Sequence, residues 1–177
     1  PAGVGEAESD FSAFAESGMG AETDAYIAEN ATVRHALTVA EGVSVAEPMI
    51  LEVTLDAAHP TALTSLSVDV KAGSSLTIVQ VLRGDAEHGA AASLTRIRAG
   101  ENAKVRLVQI QLLGDNARRW NAAAVEEGRN ARVEQVRIEL GGILSACGTR
   151  AALSAAKSEY DLDAVYFGSG SALLDYN

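Results

Sequence analysis

The segment Gly100-Glu-Asn-Ala-Lys-Val-Arg-Leu-Val-Gln-Ile-Gln-Leu112 is answered further along by Gly128-Arg-Asn-Ala-Arg-Val-Glu-Gln-Val-Arg-Ile-Glu-Leu140. Gly100, Asn102, Ala103, Val105, Val108, Ile110 and Leu112 recur as Gly128, Asn130, Ala131, Val133, Val136, Ile138 and Leu140, every pair 28 positions apart. A fixed period of this size is the signature of a solenoid, whose repeats bury their apolar sides by stacking on their neighbours. Like side chains at one offset lie above one another when the coils run in parallel register, about 4.8 Å apart, whereas a meander would reverse their order. The usual crossover rule makes the winding right-handed. The fold expected is therefore all-β, a right-handed parallel β-helix.

Working outward from this stretch, Leu66, Val68 and Val70 alternate, Lys71-Ala72-Gly73-Ser74-Ser75 turns the chain, and Leu76, Ile78, Val79 and Val81 follow. Val70, Ile97, Val125 and Leu153 each precede a turn, at intervals of 27, 28 and 28, which sets a coil of 27–28 residues. Such a coil holds two strands and two connections. Within it the pattern slips. Val105 and Leu107 share one phase while Val108, Ile110 and Leu112 take the other, and the second copy repeats the slip, which reads as a bulge or corner. Pro48 suits a strand start ahead of Met49, Leu51, Val53 and Leu55, because it has no N–H for the ladder. Tyr26, Ile27, Val33, Leu37 and Val39 read as brief strands.

Residues 1–22 are assigned to a lead-in and capping segment with a short helix, in which Phe11, Phe14 and Ala15 follow Asp10 as a candidate N-cap. Residues 23–177 form the β-helix core. The chain halts in strand-like sequence at Leu173-Leu174-Asp175-Tyr176-Asn177, so a truncated solenoid is expected, with a continuation or a partner over this end.

Composition narrows the function. The 177 residues are 47% hydrophobic and 5% aromatic, enough for a folded domain with a narrow core of medium-sized side chains. Fourteen Lys and Arg against 24 Asp and Glu give a net charge of -10, which repels nucleic acid and anionic lipid. No run approaches the roughly 18 apolar residues of a membrane span, and Pro1-Ala-Gly-Val-Gly-Glu has no basic segment leading into an apolar run. A single cysteine suits a reducing compartment, and a cytoplasmic location is expected.

Several segments together resemble the SufB/SufD family of iron–sulfur cluster assembly proteins. These are Val43-Ser44-Val45-Ala46-Glu47-Pro48-Met49-Ile50-Leu51, then Leu66 to Gly73 with Leu76 to Val81, then Val125 to Gly142, and finally Arg150 through Phe167. The likeness spans about residues 10–177. It implies a β-helix core that pairs with a SufB/SufD-type partner or with itself, is bound by the ATPase SufC, and supports a nascent cluster at the subunit interface. The SufC-binding helices and the family's cluster-associated Cys, Glu and His lie beyond the matched portion, so no catalytic, cofactor or metal residue is carried over. The segment Leu140-Gly141-Gly142 places the chain nearer SufD, since the B type tends to carry a proline and a sulfur-receiving cysteine there.

The reading is a non-catalytic scaffold that itself binds no cofactor, the iron–sulfur cluster being implied only for the assembled complex. The alternatives are a carbohydrate-active β-helix enzyme or a β-helix binding module. Cys147 is the one candidate thiol, read as a small buried hydrophobe because the nearest basic residue in the sequence is Arg150. His35, His59 and His88 are dispersed and expected at surface or turn positions. Asp161 and Asp163 share a strand face beside Tyr160, the only hint of a carboxylate pair. Arg118-Arg119-Trp120 reads as loop packing, and Gly168-Ser-Gly170 opens no helix that could cradle phosphate.

Overall fold

The computed structural model describes residues 1–6, 11 and 14–177. The elements are β1 (Val4–Glu6), α1 (Ala21–Asn30), β2 (Val33–Val39), β3 (Met49–Leu55), β4 (Thr61–Val70), β5 (Ser75–Gly84), β6 (Ala90–Ala99), β7 (Lys104–Leu113), β8 (Arg118–Glu127), β9 (Arg132–Leu140), β10 (Leu144–Ala152), β11 (Glu159–Phe167) and β12 (Leu173–Tyr176). They wind into a parallel β-solenoid of about five turns. Even-numbered strands form one sheet in the order β2-β4-β6-β8-β10-β12, with β1 antiparallel at its edge. Odd-numbered strands form the second, β3-β5-β7-β9-β11, all parallel. We call these the even and odd sheets.

The repeat is confirmed, and its register is now fixed. Val105 pairs with Val133, Val108 with Val136, Ile110 with Ile138 and Leu112 with Leu140, all at an offset of 28. Two of the turn-preceding markers are displaced. Ile97 stands beside Val68 and not Val70, and Val125 pairs with Ala151 while Leu153 lies past the end of β10. Coil length accordingly varies more than expected: successive partners Leu37, Val68, Ile97, Val125 and Ala151 are 31, 29, 28 and 26 residues apart. Chain is added or removed in the connections, where the ladder does not constrain it.

One corner explains the Gly-x-Asn signature. Gly42, Gly73, Asn102, Asn130 and Lys157 occupy the same place in successive coils, and all have left-handed φ, between 56° and 70°. Glycine and asparagine adopt this conformation at the least steric cost. The Asn130 side-chain amide donates to the Asn102 side-chain carbonyl at 2.7 Å, so the corner is also a ladder. At Gly128 a Cβ would lie 2.9 Å from the Glu101 amide nitrogen, which keeps the position free of side chains.

The phase slip is not a bulge. β7 and β9 are unbroken, with every residue from Lys104 to Leu112 paired in sequence to Arg132 to Leu140. Alternation continues throughout, and what changes is the chemistry. Val105, Leu107, Gln109, Gln111 and Leu113 face inward and are buried, whereas Val108, Ile110 and Leu112 face outward. The strands thus swap a conventional pattern for an inverted one halfway along. The outward columns run across the odd sheet as Val79-Val108-Val136, Val81-Ile110-Ile138 and Leu112-Leu140.

The lead-in also differs from expectation. The helix is α1, which includes Tyr26 and Ile27, read as strand residues, and it straddles the boundary drawn at residue 22. Of the helix expected there, Asp10 lies outside the described residues, while Phe14 and Ala15 are not helical. Only Asp24 and Ile27 of α1 are buried, too few for an apolar stripe to show in the sequence. Ile27 packs on Leu94 and Ala122 of the even sheet's outer face, and Asp24 accepts from the Ser17 hydroxyl at 2.5 Å and amide at 2.7 Å. Phe11 and Phe14 lie over the Arg98 guanidinium, 5.6 and 5.3 Å from it. The chain's own beginning therefore covers part of the even sheet, while among the described residues nothing covers the odd one.

Replacing Asn130 by valine forces a β-branched residue into the left-handed region and removes the amide ladder. Urea unfolding should show a loss of about 1–3 kcal/mol, and Asn130→Gly should lose less than half of that.

Candidate functional site

The interior changes character along the solenoid axis. β3 contributes Met49, Leu51, Val53 and Leu55 to it, β5 contributes Ile78, Gln80 and Leu82, β7 contributes Leu107, Gln109 and Gln111, and β9 contributes Gln135, Arg137 and Glu139. The even sheet follows the same trend, from Leu66 through Thr95 and Asn121 to Ser145, Cys147 and Thr149. An apolar cluster around Val70, Ile97, Val105, Val125 and Val133 fills one side of the cross-section. Polar side chains fill the middle.

The buried amides and hydroxyls among them bond to one another. Gln109 donates to Gln80 at 2.7 Å and exchanges bonds with Asn121, which also accepts from Ser93 at 2.8 Å. Gln135 donates to Gln109 at 2.7 Å, and the Tyr160 hydroxyl donates to Gln135. Arg137 donates to Thr149 at 2.6 Å. Buried amides left unpaired would each cost about 1–3 kcal/mol, so the chain of donors and acceptors ties neighbouring coils into one register.

At the polar end Arg119 and Glu139 form an ion pair at 2.8 Å, both essentially out of solvent. Their facing atoms are close but off the hydrogen-bonding line, and the Arg119 Nε has no partner. A cavity of about 150 Å³, bordered by Leu51, Leu66, Gln80, Ser93 and Arg119, lies beside the guanidinium and is large enough to admit water. Ser145 donates to the other Glu139 oxygen at 2.9 Å and sits 3.8 Å from the Cys147 sulfur. Such a pair is held by its surroundings more than it stabilises them, because desolvation offsets most of the Coulomb attraction.

Cys147 is fully buried, as the sequence reading placed it. Its electrostatics were not legible. Arg119 and Arg137, not Arg150, are the cations that act on it, brought in from the neighbouring strands β8 and β9. Burial pushes the thiol above its ordinary value, the Glu139 charge adds to this, and the two guanidinium groups oppose both. The outcome is a protonated, enclosed thiol with little nucleophilic character.

Glu127 went unnoticed in the sequence. It closes a column that is otherwise Val39, Val70 and Ala99, and neither of its carboxylate oxygens is hydrogen-bonded. The Glu159 amide beside it donates to the Ala131 carbonyl at 2.9 Å. Burial first, then the charges of Asp161 and Glu159, push its carboxyl up to about 7.

The remaining singled-out residues do not converge. Arg118, Arg119 and Trp120 open a strand and form no loop, with Arg119 inward and Trp120 outward beside α1. His35, His59 and His88 are all exposed, His35 on β2 and the other two in the connections that precede β4 and β6. His59 lies in a turn where its amide, donating to Asp56 at 2.6 Å, holds that carboxyl below its ordinary value. Asp161 pairs with Arg132 at 3.0 Å and Asp163 stands beside Val136 on the outer face, so the two line no cleft. Gly168 to Gly170 lead from one strand towards the next. Among the described residues no group of three or more His, Cys, Asp or Glu is placed to hold a metal ion, and no helix is long and apolar enough to cross a membrane.

Parallel coils wound around a mixed apolar and polar interior, held in register by an unbroken backbone ladder, define a β-solenoid. The family model described as SUF system FeS cluster assembly, SufBD core domain, matches residues 53–177, from within β3 to Asn177, and the chain belongs to that family. Comparison with curated proteins and with solved structures finds no match.

Two outcomes follow. Between pH 4.5 and 7 the folded protein holds a proton on Glu127 that the unfolded chain has released, so stability falls as pH rises through this window. Glu127→Gln should flatten that slope, being more stable than the parent at pH 8 in thermal melts and equal to it near pH 4. Cys147 should resist an aromatic disulfide reagent in the folded protein and react fully in denaturant.

Proposed function

We propose that the chain is a non-catalytic scaffold subunit of SUF-type iron–sulfur cluster assembly, nearer SufD than SufB. The observation that carries this reading is the SufBD core match over residues 53–177, a range that takes in the solenoid from within β3 to β12. The solenoid's contribution is positional. Two long ladders cross-linked by buried amides resist bending, which suits a surface that must hold a second β-helix in place. The nascent cluster is cargo of the assembled complex, formed between subunits, and ATP hydrolysis belongs to a SufC-type ATPase joined through other segments of the complex. An enclosed, protonated Cys147 supports a structural part for this thiol. Work in the cytoplasm, where cysteines stay reduced, fits the single unpaired thiol.

A carbohydrate-active reading needs a cleft of several carboxylates. Asp161 and Asp163 supply none, one being engaged by Arg132 and the other lying on an apolar face.

Co-expressed with a complementary SufB-type subunit and a SufC-type ATPase, the chain should be retained through affinity purification of the complementary subunit and lost when that subunit is omitted. Failure of that retention, together with cleavage of acidic polysaccharide by the chain alone, would replace the scaffold with a carbohydrate-active enzyme.

A further inference from the structure

The interior is not filled throughout. On the even sheet Ala62 and Ala91 precede Arg119 in a single column, so two methyl groups stand where a solenoid column has room for larger side chains. Across the interior the odd sheet sets Leu51 and Gln80 in one column and Val53 and Leu82 in the next. Between them lies the cavity of about 150 Å³ beside Arg119. Val33 and His35 of β2 border it and are themselves exposed, which places its mouth at the first winding.

Two polar groups on the wall are already engaged. Gln80 exchanges hydrogen bonds with Thr95 and accepts another from Gln109, and Ser93 donates to Asn121. Arg119 is different. It is only 3% exposed, and its Nε–H has no acceptor. Among the described residues it is the one lining residue that leaves a buried side-chain nitrogen or oxygen without a hydrogen bond. A buried donor in that state is costly, and an acceptor brought to it recovers the loss.

Size and chemistry define what this space accepts. One water could meet the Nε–H, but Val33, Leu51, Val53, Ala62, Leu82 and Ala91 offer no polar partners to the further waters needed to fill the rest. A six-membered hydrocarbon ring is of the right size, since an apolar cavity of about 150 Å³ takes up benzene. The charge of Arg119 is already met by Glu139 at 2.8 Å, so a carboxylate would leave water for an apolar space only to share a cation that is taken. A neutral carbonyl oxygen avoids that cost and accepts from a single N–H.

We propose that this cavity is a binding site for a small neutral carbonyl compound, whose apolar body lies among the leucines, valines and alanines and whose oxygen accepts from the Arg119 Nε–H. The site goes beyond the scaffold reading and does not rest on it.

The test compares three probes: cyclohexanone, its isostere methylenecyclohexane, which lacks the oxygen, and the anion cyclohexanecarboxylate. Titrated into the folded chain and followed by NMR of methyl and guanidinium signals, cyclohexanone should saturate with a Kd of about 1 mM or tighter and shift Leu51, Leu82, Ala91 and the Arg119 Nε–H. Methylenecyclohexane should bind about ten-fold more weakly or worse, and the carboxylate more weakly than the ketone. Ala91→Leu and, independently, Ala62→Leu fill the space and should abolish binding, with circular dichroism to verify folding. The probe comparison uses the parent chain alone, so it decides the matter even where a filled variant does not fold. Absence of saturable binding leaves the cavity to water and overturns the proposal. So does an isostere that binds as well as the ketone, a carboxylate that binds more tightly, or binding that survives in both folded variants.

Discussion

The parallel backbone ladder is the constraint on which the rest depends. Each strand from β4 to β9 is hydrogen-bonded to a neighbour on both sides in an uninterrupted register, so a residue's column is fixed once its strand is placed. A shift by one residue would turn Val105, Leu107 and Gln109 outward together and bring Val108 and Ile110 in. The amide bonds between Gln80, Gln109 and Gln135 would be lost with it. Corner conformation, interior polarity and outer apolar face are all consequences of one register.

What the sequence made legible was what repeats. Gly100, Asn102 and Val105 return at one offset because the same corner and the same inward position recur, and those demands are set by backbone conformation and close approach. The connections are less legible: Val70 and Leu153 look like register markers because each precedes a turn, although turns are where coil length drifts. The helix α1 was hidden for a different reason. It is held by two buried residues and by the Ser17–Asp24 bonds, and none of these leaves a periodic trace.

The interior was the least legible part, because a binary apolar-in, polar-out pattern does not hold there. Apolar residues are assigned inward because burial favours them by about 1.5–3 kcal/mol per large side chain. On β7 and β9 that assignment fails at Gln109, Gln111, Gln135, Arg137 and Glu139, all buried. Mutual hydrogen bonding removes most of the penalty for these polar groups, and the apolar residues beside them are left facing out. The apparent displacement at Val108 and Val136 was the visible trace of this exchange. Arg137 and Glu139 could have been found from the same trace, by keeping the phase set by Val133 along β9, and Arg119 by keeping that of Val125 along β8.

The gradient from an apolar to a polar interior has a consequence for motion. Each coil leans only on its neighbours, so local free energy need not be uniform along a solenoid. The windings lined by Leu66, Val68 and Ile78 lose contact with hydrocarbon when they open, whereas those lined by Arg137, Glu139 and Ser145 surrender polar partners that water can replace. Amide protons of β9 and β10 should therefore exchange with solvent sooner than those of β5 and β6, which makes the polar windings the pliant end of the rod and the apolar ones its anchor.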